Sequence, residues 1–523
     1  MRYALCVAIE ESEADGHAPV AVDARDAPPP DSDGDGDVAP IPDSTFGQRA
    51  LNRVDSLLPH IPVMVLIGYY FWHFATLSVE VHDGYGTSGF DIGLYDQGLW
   101  LLSRFDAPFV TIMGRNLMGD HTSFILLFLA PLYWLFPGAS TLLVVQALVM
   151  ALGAVPVYLL ALKRLGSVFI ATLLAGTFLL HPALGLTNLE NFHPDCFIVP
   201  LAGFAIYYAI EWRPKPFIVF SLLSLLVKED VVLLIGPLAI WVALRRNPKI
   251  GISMLLGSIG YALIATQLWM KNLIGVPTLN TWRIPFGGVR GSIETFIKEP
   301  GTVSEYLIDD NRPWYVWQVL APTGFVFLLQ PEIAATGILV LTSNVVSTFV
   351  YQHLMAYHYT MALLPPLSMG TVFAISAMRS KRVRYAAVTV TCICSLWAAF
   401  LWGLFPWSEN EYPHWDPSLP QVQEINEIKE QLPDDAVVSA YHSFVPHVAH
   451  RKRVYLWPTP FHAVYWETFE HEGEELPFSD EIEYVFLPQS ELSNEDWQRI
   501  QSEFELVDEN STAALFKRRE AAT

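Results

Sequence analysis

Long apolar runs, rather than a regular alternation of apolar and polar residues, dominate the middle of the chain. They lie at residues 59–79, 140–162, 167–182, 196–212, 216–228, 230–244, 250–270, 314–330, 332–350, 358–378 and 384–406. A helix that crosses a membrane needs roughly 20 apolar residues, and several runs approach that length. The pattern predicts an all-α polytopic membrane protein with about 11 spans, and a shorter run at 122–137 is predicted to be re-entrant or interfacial.

The two ends of the chain carry different patterns. Residues 1–57 lack apolar periodicity and include a stretch rich in Pro, Asp and Gly, which predicts a disordered acidic cytoplasmic tail. In residues 408–523, Val422, Ile425 and Ile428 recur at helical spacing, while 435–441, 483–487 and a hairpin at 504–517 have strand character. We therefore expect a transmembrane domain at 58–407 and a small extracytoplasmic α/β domain at 408–523.

The composition agrees with a membrane protein and narrows its partners. Of the 523 residues, 52% are hydrophobic and only 16% are charged, whereas soluble chains carry about 25% charge. The net charge of -22 divides into -8 for residues 1–55, -16 for residues 408–523 and +2 for the residues between them. Acidic water-exposed parts would repel phosphates, so a nucleic-acid partner is excluded and the lipid bilayer is the expected surrounding.

Basic residues predict the orientation of the spans. They cluster at Lys163-Arg164, Arg213/Lys215, Arg245-Arg246/Lys249 and between Arg379 and Arg384. Because loops rich in Lys and Arg stay in the cytoplasm, we place all four clusters there. This predicts a multi-pass protein of the plasma membrane with a cytoplasmic N-terminus and an extracytoplasmic C-terminal domain.

Polar clusters separate the apolar runs on the opposite, outer side of this predicted topology. Because several such clusters share one side, we expect their loops to build one substrate-binding pocket, whose candidate residues are Asp91, Asp96, Asp120, His121, Glu190, His193, Asp195, Lys228, Glu229, Asp230, His353 and His358. The pattern leaves the cofactor open, since Asp91 and Asp96 fit the role of a metal ligand as well as that of a base. Three histidines of the predicted C-terminal domain, His442, His447 and His450, are expected to lie on its surface.

Lys228-Glu229-Asp230 is the sharpest of these clusters. It interrupts the otherwise apolar stretch 217–244, and residues 217–227 can rise only about 16 Å as a helix, so the triplet is predicted to lie at membrane depth. Ionisable residues there are costly and usually functional. The alternative is a turn in which Lys228 is neutralised by Glu229 or Asp230.

Structural alternatives exist for other members of the pocket as well. Asp91, Asp120 and Asp195 each precede or begin an apolar segment and could act as helix caps. His353 and His358 are five residues apart, a poor metal-binding spacing on one helix. The sequence contains no P-loop, H-E-x-x-H or G-x-S-x-G motif, so these patterns give no indication of nucleotide hydrolysis or of a zinc protease.

The motifs together resemble a family of predicted membrane proteins, domain of unknown function family 2079, over roughly residues 60–520. The residues that carry the resemblance are Phe90–Gln97, Gly119–His121, His193–Asp195, Lys228–Asp230 and Phe444–Arg451. The layout is also similar, more distantly, to membrane-embedded glycosyltransferases of the C-type fold. Those enzymes take a sugar from a polyprenyl-phosphate or polyprenyl-diphosphate carrier and have an acid in the first outer loop.

This second resemblance implies roles for individual residues. Asp91 would be the catalytic general base that deprotonates the acceptor hydroxyl, and Lys228 would bind the phosphate of a polyprenyl-linked sugar donor. Glu190, His193 or Asp230 would orient the acceptor. If the reaction uses a divalent metal ion, its candidate ligands are Asp91, Glu190, His193 and Asp230. The chain lacks the pair of adjacent acids that directly follows the first span in those enzymes.

Two other functions fit the same pattern. A secondary transporter would use Lys228-Glu229-Asp230 as a charged site between two short helices, although no internal repeat relates the two halves of the chain. A non-catalytic scaffold for surface polymer assembly would use the acidic C-terminal domain as its binding module.

Overall fold

The computed structural model of the protein describes residues 57–274, 281–467 and 471–520. The predicted disordered tail 1–57 lies outside the described residues, except for Leu57. The described chain is mostly helical, and the helices begin and end as follows: α1 Ile61–Asp83, α2 Leu94–Ser103, α3 Leu117–Asp120, α4 Ala139–Leu152, α5 Ala154–Leu165, α6 Val168–Leu179, α7 Pro182–Leu189, α8 Ile198–Ile210, α9 Pro214–Leu225, α10 Val232–Arg245, α11 Pro248–Ile264, α12 Lys271–Ile274, α13 Val289–Lys298, α14 Pro300–Ile308, α15 Arg312–Leu320, α16 Ile338–Val346, α17 Leu364–Ala377, α18 Lys381–Trp402, α19 Pro420–Lys429 and α20 Glu495–Ile500.

Several helical segments are long and apolar enough to cross a membrane. Within the described ranges there are five: Leu58–Asp83, Ala139–Leu165, Pro248–Leu273, His358–Ala377 and Lys381–Trp402. Helices α6 and α7 form a sixth if the pair, bent by 45°, counts as one broken span. Helix α8, with the turn before it, and α9 are apolar but shorter, so the count of about 11 spans stays a prediction.

Two of the predicted spans, 314–330 and 332–350, are broken in the structure. Helix α15 ends at Leu320, and short 3-10 turns at Ala321–Thr323, Val326–Leu329 and Ala334–Gly337 lead to α16. Gly324 and Phe325 have left-handed backbones with φ of 61° and 56°, which no α-helix can continue through. Apolar composition alone therefore overstated the helix length here.

The run at 122–137 forms two 3-10 turns, Phe124–Phe128 and Ala130–Trp134, instead of a spanning helix. Its Tyr133 hydroxyl donates to Asp96 at 2.8 Å, and Trp134 Nε1 donates to the Ser103 carbonyl at 2.6 Å. Both contacts hold the segment against α2. This geometry agrees with the predicted re-entrant or interfacial segment.

Basic residues from two of the predicted cytoplasmic clusters meet the end of a third helix. Lys163 and Arg164 contact Glu211 at 2.7 Å and 2.6 Å. The guanidinium of Arg246 donates to the Ile210 carbonyl, as does that of Arg164. Since these residues lie at the C-terminal ends of α5, α8 and α10, those helix ends lie on the same side of the bundle, as the placement of the basic clusters requires.

The C-terminal region contains a mixed β-sheet. Its strands are β3 Val438–Ala440, β4 Val454–Leu456, β5 Tyr484–Pro488, β6 Phe504–Glu509 and β7 Ala513–Arg518; a separate two-stranded ribbon joins β1 Phe109–Val110 to β2 Arg115–Asn116. The sheet order among described residues is β4-β3-β5-β7-β6, with β3 parallel to β4 and β5, and β7 antiparallel to β5 and β6. Strands lie where 435–441, 483–487 and 504–517 predicted them, whereas β4 and α20 were missed.

This C-terminal region packs directly on the first loop of the membrane part. The amide of Gly89 donates to the His442 carbonyl at 2.7 Å, and Gln97 Nε2 donates to the Arg451 carbonyl at 3.2 Å. A Cβ on Gly89 would lie 2.7 Å from Val445 Cβ, so only glycine allows the approach. The C-terminal region thus holds the loop that carries Asp91. The predicted domain boundary between residues 407 and 408 stays a prediction.

Candidate functional site

Asp91 lies in a π-helical turn, Gly89–Gly93, that leads into α2. The cap of this turn is Ser88, whose Oγ accepts from the Phe90 amide at 3.3 Å. The Asp91 carboxylate is therefore not the cap. Burial raises the pKa of Asp91 to about 6; the neighbouring His193 lowers it in part and Glu190 raises it further. A carboxylate with this pKa can accept a proton near neutral pH, as a general base must.

The loop that follows α7 lies against this turn and is fixed by a buried glutamine. Gln146 of α4 donates through Nε2 to the Asn191 carbonyl at 2.6 Å, and its Oε1 accepts from the His193 amide at 3.0 Å. Asn191 has φ of 132°, a strained value for a residue with a side chain, and its Oδ1 accepts from the Ser88 amide at 3.0 Å. The loop with Glu190 and His193 is therefore tied both to α4 and to the turn of Asp91.

Glu190, His193 and His358 converge within this pocket. Glu190 Oε2 lies 2.8 Å from His193 Nε2 and 3.9 Å from His358 Nδ1. The two imidazole rings stack with their centroids 3.7 Å apart. Burial by itself would raise the pKa of Glu190, but the adjacent imidazoles outweigh it and lower that pKa to about 2, so the carboxylate stays ionised.

Lys228 reaches the same region from the break between α9 and α10. Its Nζ lies 3.8 Å from Asp195 Oδ2 and 5.8 Å from the ring centroid of Tyr359. Asp195 in turn lies close enough to His193 for their charges to interact, which connects Lys228 with the Glu190 and His193 loop. The ion-pair partner of Lys228 is thus supplied by a distant loop, unlike the self-neutralised turn considered from the sequence.

Glu229 makes a second link across the site. Its carboxylate oxygens lie 2.8 Å from His121 Nδ1 and accept from the Thr122 amide at 3.1 Å. Asp120 pairs with Arg115 at 2.6 Å. The segment 120–122 is consequently held to the turn 228–230, although more than 100 residues separate them.

The structure brings together most of the predicted pocket. Asp91, Asp120, His121, Glu190, His193, Asp195, Lys228, Glu229, Asp230 and His358 are joined by contacts or by electrostatic interaction with one another. Of the predicted metal ligands, Glu190 and His193 belong to the converging group of three that the described residues form, whereas Asp91 and Asp230 do not.

Asp96 and His353 lie outside this cluster. The Asp96 carboxylate accepts from the Tyr133 hydroxyl at 2.8 Å and lies 3.0 Å from His450 Nε2. His353 is fully buried, and its Nε2 lies 3.2 Å from Asp310 Oδ2. The contacts of both residues are therefore with segments that supply no member of the cluster.

The tail histidines differ from their prediction in two of three positions. His442 is exposed as expected. The ring of His447 stacks on His82 at a centroid distance of 4.3 Å, and His450 contacts Asp96. The segment 444–451 is therefore part of the contact with the first loop and not of the free surface.

Comparison with known proteins places the chain in a family. Residues 82–517 match the model of the family described as "Predicted membrane protein (DUF2079)". The protein belongs to the DUF2079 family. The sequence matches no curated protein.

The fold of this DUF2079 protein is similar to that of ArnT from Cupriavidus metallidurans, a glycosyltransferase of the C-type fold. The structure of ArnT bound to undecaprenyl phosphate superposes with a TM-score of 0.52 at 10% sequence identity, over 85% of this chain and 97% of that chain. Its apo state gives a TM-score of 0.48 at 10% identity, over 87% and 97% of the two chains. At this identity the likeness concerns the fold alone, and it confirms the distant resemblance inferred from the sequence.

Several residues of the site in this DUF2079 protein escaped the sequence analysis. The buried Tyr95 interacts electrostatically with Asp91, Asp120 and Asp195. Gln146 could have been found, because it is a single amide in the otherwise apolar run 140–162. Tyr95 carries no comparable signal, since a tyrosine at a helix start is as compatible with packing as with a site.

Proposed function

We propose that this protein is a membrane glycosyltransferase that transfers a sugar from a polyprenyl-phosphate-linked donor to an acceptor on the outer face of the membrane. In this proposal the N-terminus is cytoplasmic and the tail is extracytoplasmic. The observation that carries it is one site in which Asp91, a half-buried carboxylate, and Lys228, a buried ammonium, are linked through His193 and Asp195. Glycosyl transfer from a phosphate uses a base that takes the proton of the acceptor hydroxyl and a cation that stabilises the leaving phosphate.

The reaction assigns a role to each of them. The acceptor oxygen attacks the anomeric carbon, and its proton moves to the Asp91 carboxylate. The bond from the anomeric carbon to the phosphate oxygen breaks, and the electron pair stays on the lipid phosphate. Lys228 stabilises that developing charge as a point charge, while the loop carrying Glu190 and His193 orients the acceptor.

The surroundings of the site suit a lipid-linked donor. A groove of about 640 Å³ runs between α9 and α11 and is lined mainly by apolar side chains such as Leu222 and Met254. At one end Tyr261 lines it, and the Tyr261 hydroxyl donates to Thr122 Oγ1 at 3.4 Å, next to Glu229. A prenyl chain in this groove would leave its phosphate near Lys228. The fold likeness to ArnT bound to undecaprenyl phosphate supports the same class of carrier.

The proposal is tested by mass spectrometry of surface glycans and lipid-linked sugars. A deletion strain is complemented with the wild type, Asp91→Asn or Lys228→Ala at matched membrane levels. Asp480→Asn and Lys298→Ala, at exposed positions, are the matched controls. We expect a missing sugar and an accumulated lipid-linked precursor, restored by the wild type and both controls but by neither site variant. Identical glycans in all strains would contradict the proposal and favour the transporter.

A further inference from the structure

Glu190, His193 and His358 present three buried ligand atoms to one point. The side chains of His193, His358 and Glu190 are only 5%, 10% and 14% exposed. His193 Nε2, His358 Nδ1 and Glu190 Oε2 face one another, and none of them has a hydrogen bond to a described residue outside this group. Buried polar atoms normally have a well-placed partner. Three such atoms that face only one another therefore indicate a site for a further group that all three can contact.

The geometry points to a binding site for one zinc ion held by Glu190, His193 and His358. The three ligand atoms all lie within 4.8 Å of one another. Around a tetrahedral zinc with bonds of about 2.0–2.1 Å, ligand atoms are roughly 3.3 Å apart. The distances from Glu190 Oε2, 2.8 Å to His193 and 3.9 Å to His358, lie on either side of that value, so small side-chain shifts complete the site.

The ligand types select the ion. Two imidazole nitrogens and one carboxylate suit zinc, whereas magnesium and calcium prefer sites made of oxygen ligands. Three protein ligands leave the fourth position open, which is the arrangement of reactive and not of purely structural zinc sites. That open position would be available to water or to a substrate hydroxyl or phosphate oxygen.

The stacked histidines cannot both be protonated. Two protonated imidazoles would repel each other strongly at a centroid distance of 3.7 Å. A neutral imidazole instead offers a lone pair, which a cation can bind. The amide of His193 is fixed by Gln146 at 3.0 Å, so the ligand loop is held in place as outer partners usually hold metal ligands.

Nearby charge also favours a cation. Asp91 and Asp195 both interact electrostatically with His193, in addition to Glu190. Lys228 offsets one of these acids through its contact with Asp195. A divalent ion would offset the remaining negative charge, and it would allow a phosphate or hydroxyl to approach a pocket that is otherwise acidic.

The test uses the full-length protein in detergent, stripped with a chelator and titrated with Zn²⁺ alone. We expect about one zinc per chain by elemental analysis and a higher melting temperature with zinc. In Glu190→Gln and His358→Ala the zinc affinity should fall by more than the roughly 10–100-fold that loss of an outer partner causes. His414→Ala, at an exposed position, should bind zinc as the wild type does.

Zinc binding that is unchanged in both site variants would overturn the inference, as would the absence of zinc from the titrated wild type. If the variants do not fold, the wild type is loaded with Co²⁺ instead: the strong visible absorption of a tetrahedral site supports the inference, and a weak octahedral spectrum refutes it. No sugar donor enters these measurements. Failure of zinc binding is therefore distinguishable from failure of the proposed glycosyl transfer.

Discussion

Replacement of Gln146 by methionine tests whether one buried amide holds the site together. Methionine keeps the length and nearly the volume of glutamine, so packing inside α4 changes little. It removes the donor to the Asn191 carbonyl at 2.6 Å and to the Thr187 carbonyl at 3.3 Å, and the acceptor for the His193 amide at 3.0 Å. The loop carrying Glu190 and His193 then loses its attachment to α4.

The size of the effect follows from these bonds. A buried backbone group left without a partner costs about 1–3 kcal/mol, and the two shorter bonds involve such groups. We expect the free energy of unfolding to fall by about 3 kcal/mol, after the loop relaxes in part. With an unfolding entropy of about 2.1 cal/mol/K per residue, that loss lowers the melting temperature by about 3 °C in a chain of this size.

The assay compares the melting temperature in detergent and the transfer of sugar for wild type, Gln146→Met and Gln423→Met. Gln423 is exposed on α19, so its variant controls for the exchange itself. Transfer should fall further in Gln146→Met than the small loss of stability explains, because Asn191 also supports the turn of Asp91. A Gln146→Met protein with unchanged melting temperature and full transfer would refute this reasoning.

Two further predictions concern stability in detergent. Asp96→Ala should destabilise the protein by about 2–4 kcal/mol and more than Tyr133→Phe, because it leaves both Tyr133 and His450 without their acceptor; equal melting temperatures for the two variants would count against the contact. Gly251→Ala should lower the melting temperature, since its Cβ would lie 2.3 Å from the backbone of α10, whereas Gly257→Ala, with nothing within 4 Å, should not. Similar losses in both glycine variants would show that helix packing is not the cause.

The sequence predicted the local elements well where a local pattern of apolar residues is compatible with one kind of element only. The apolar runs 59–79, 250–270 and 384–406 became long helices, because a backbone in lipid must satisfy its own hydrogen bonds. The strands at 435–441 and 483–487 also follow from local pattern. The runs 314–330 and 332–350 failed because hydrophobicity does not report the left-handed turn at Gly324 and Phe325.

The candidate site shows the same division. That Lys228, Glu229 and His193 are unusual could be read from the chain, since ionisable residues among apolar runs are costly unless they are used. Which residue each of them contacts could not be read from the chain. Lys228 pairs with Asp195 and not with its neighbour Glu229, and Asp96 turns to Tyr133 and His450 instead of the pocket.

By itself, then, the sequence determined that this is a helical membrane protein and which polar residues are exceptional in it. Only the tertiary structure decided that Glu190 and His193 meet His358, and that the tail clamps the turn of Asp91 through Gly89. The physical reason is the separation along the chain between the residues that interact. Burial and helix formation are set by residues a few positions apart, whereas contacts across more than 100 residues depend on how whole helices pack.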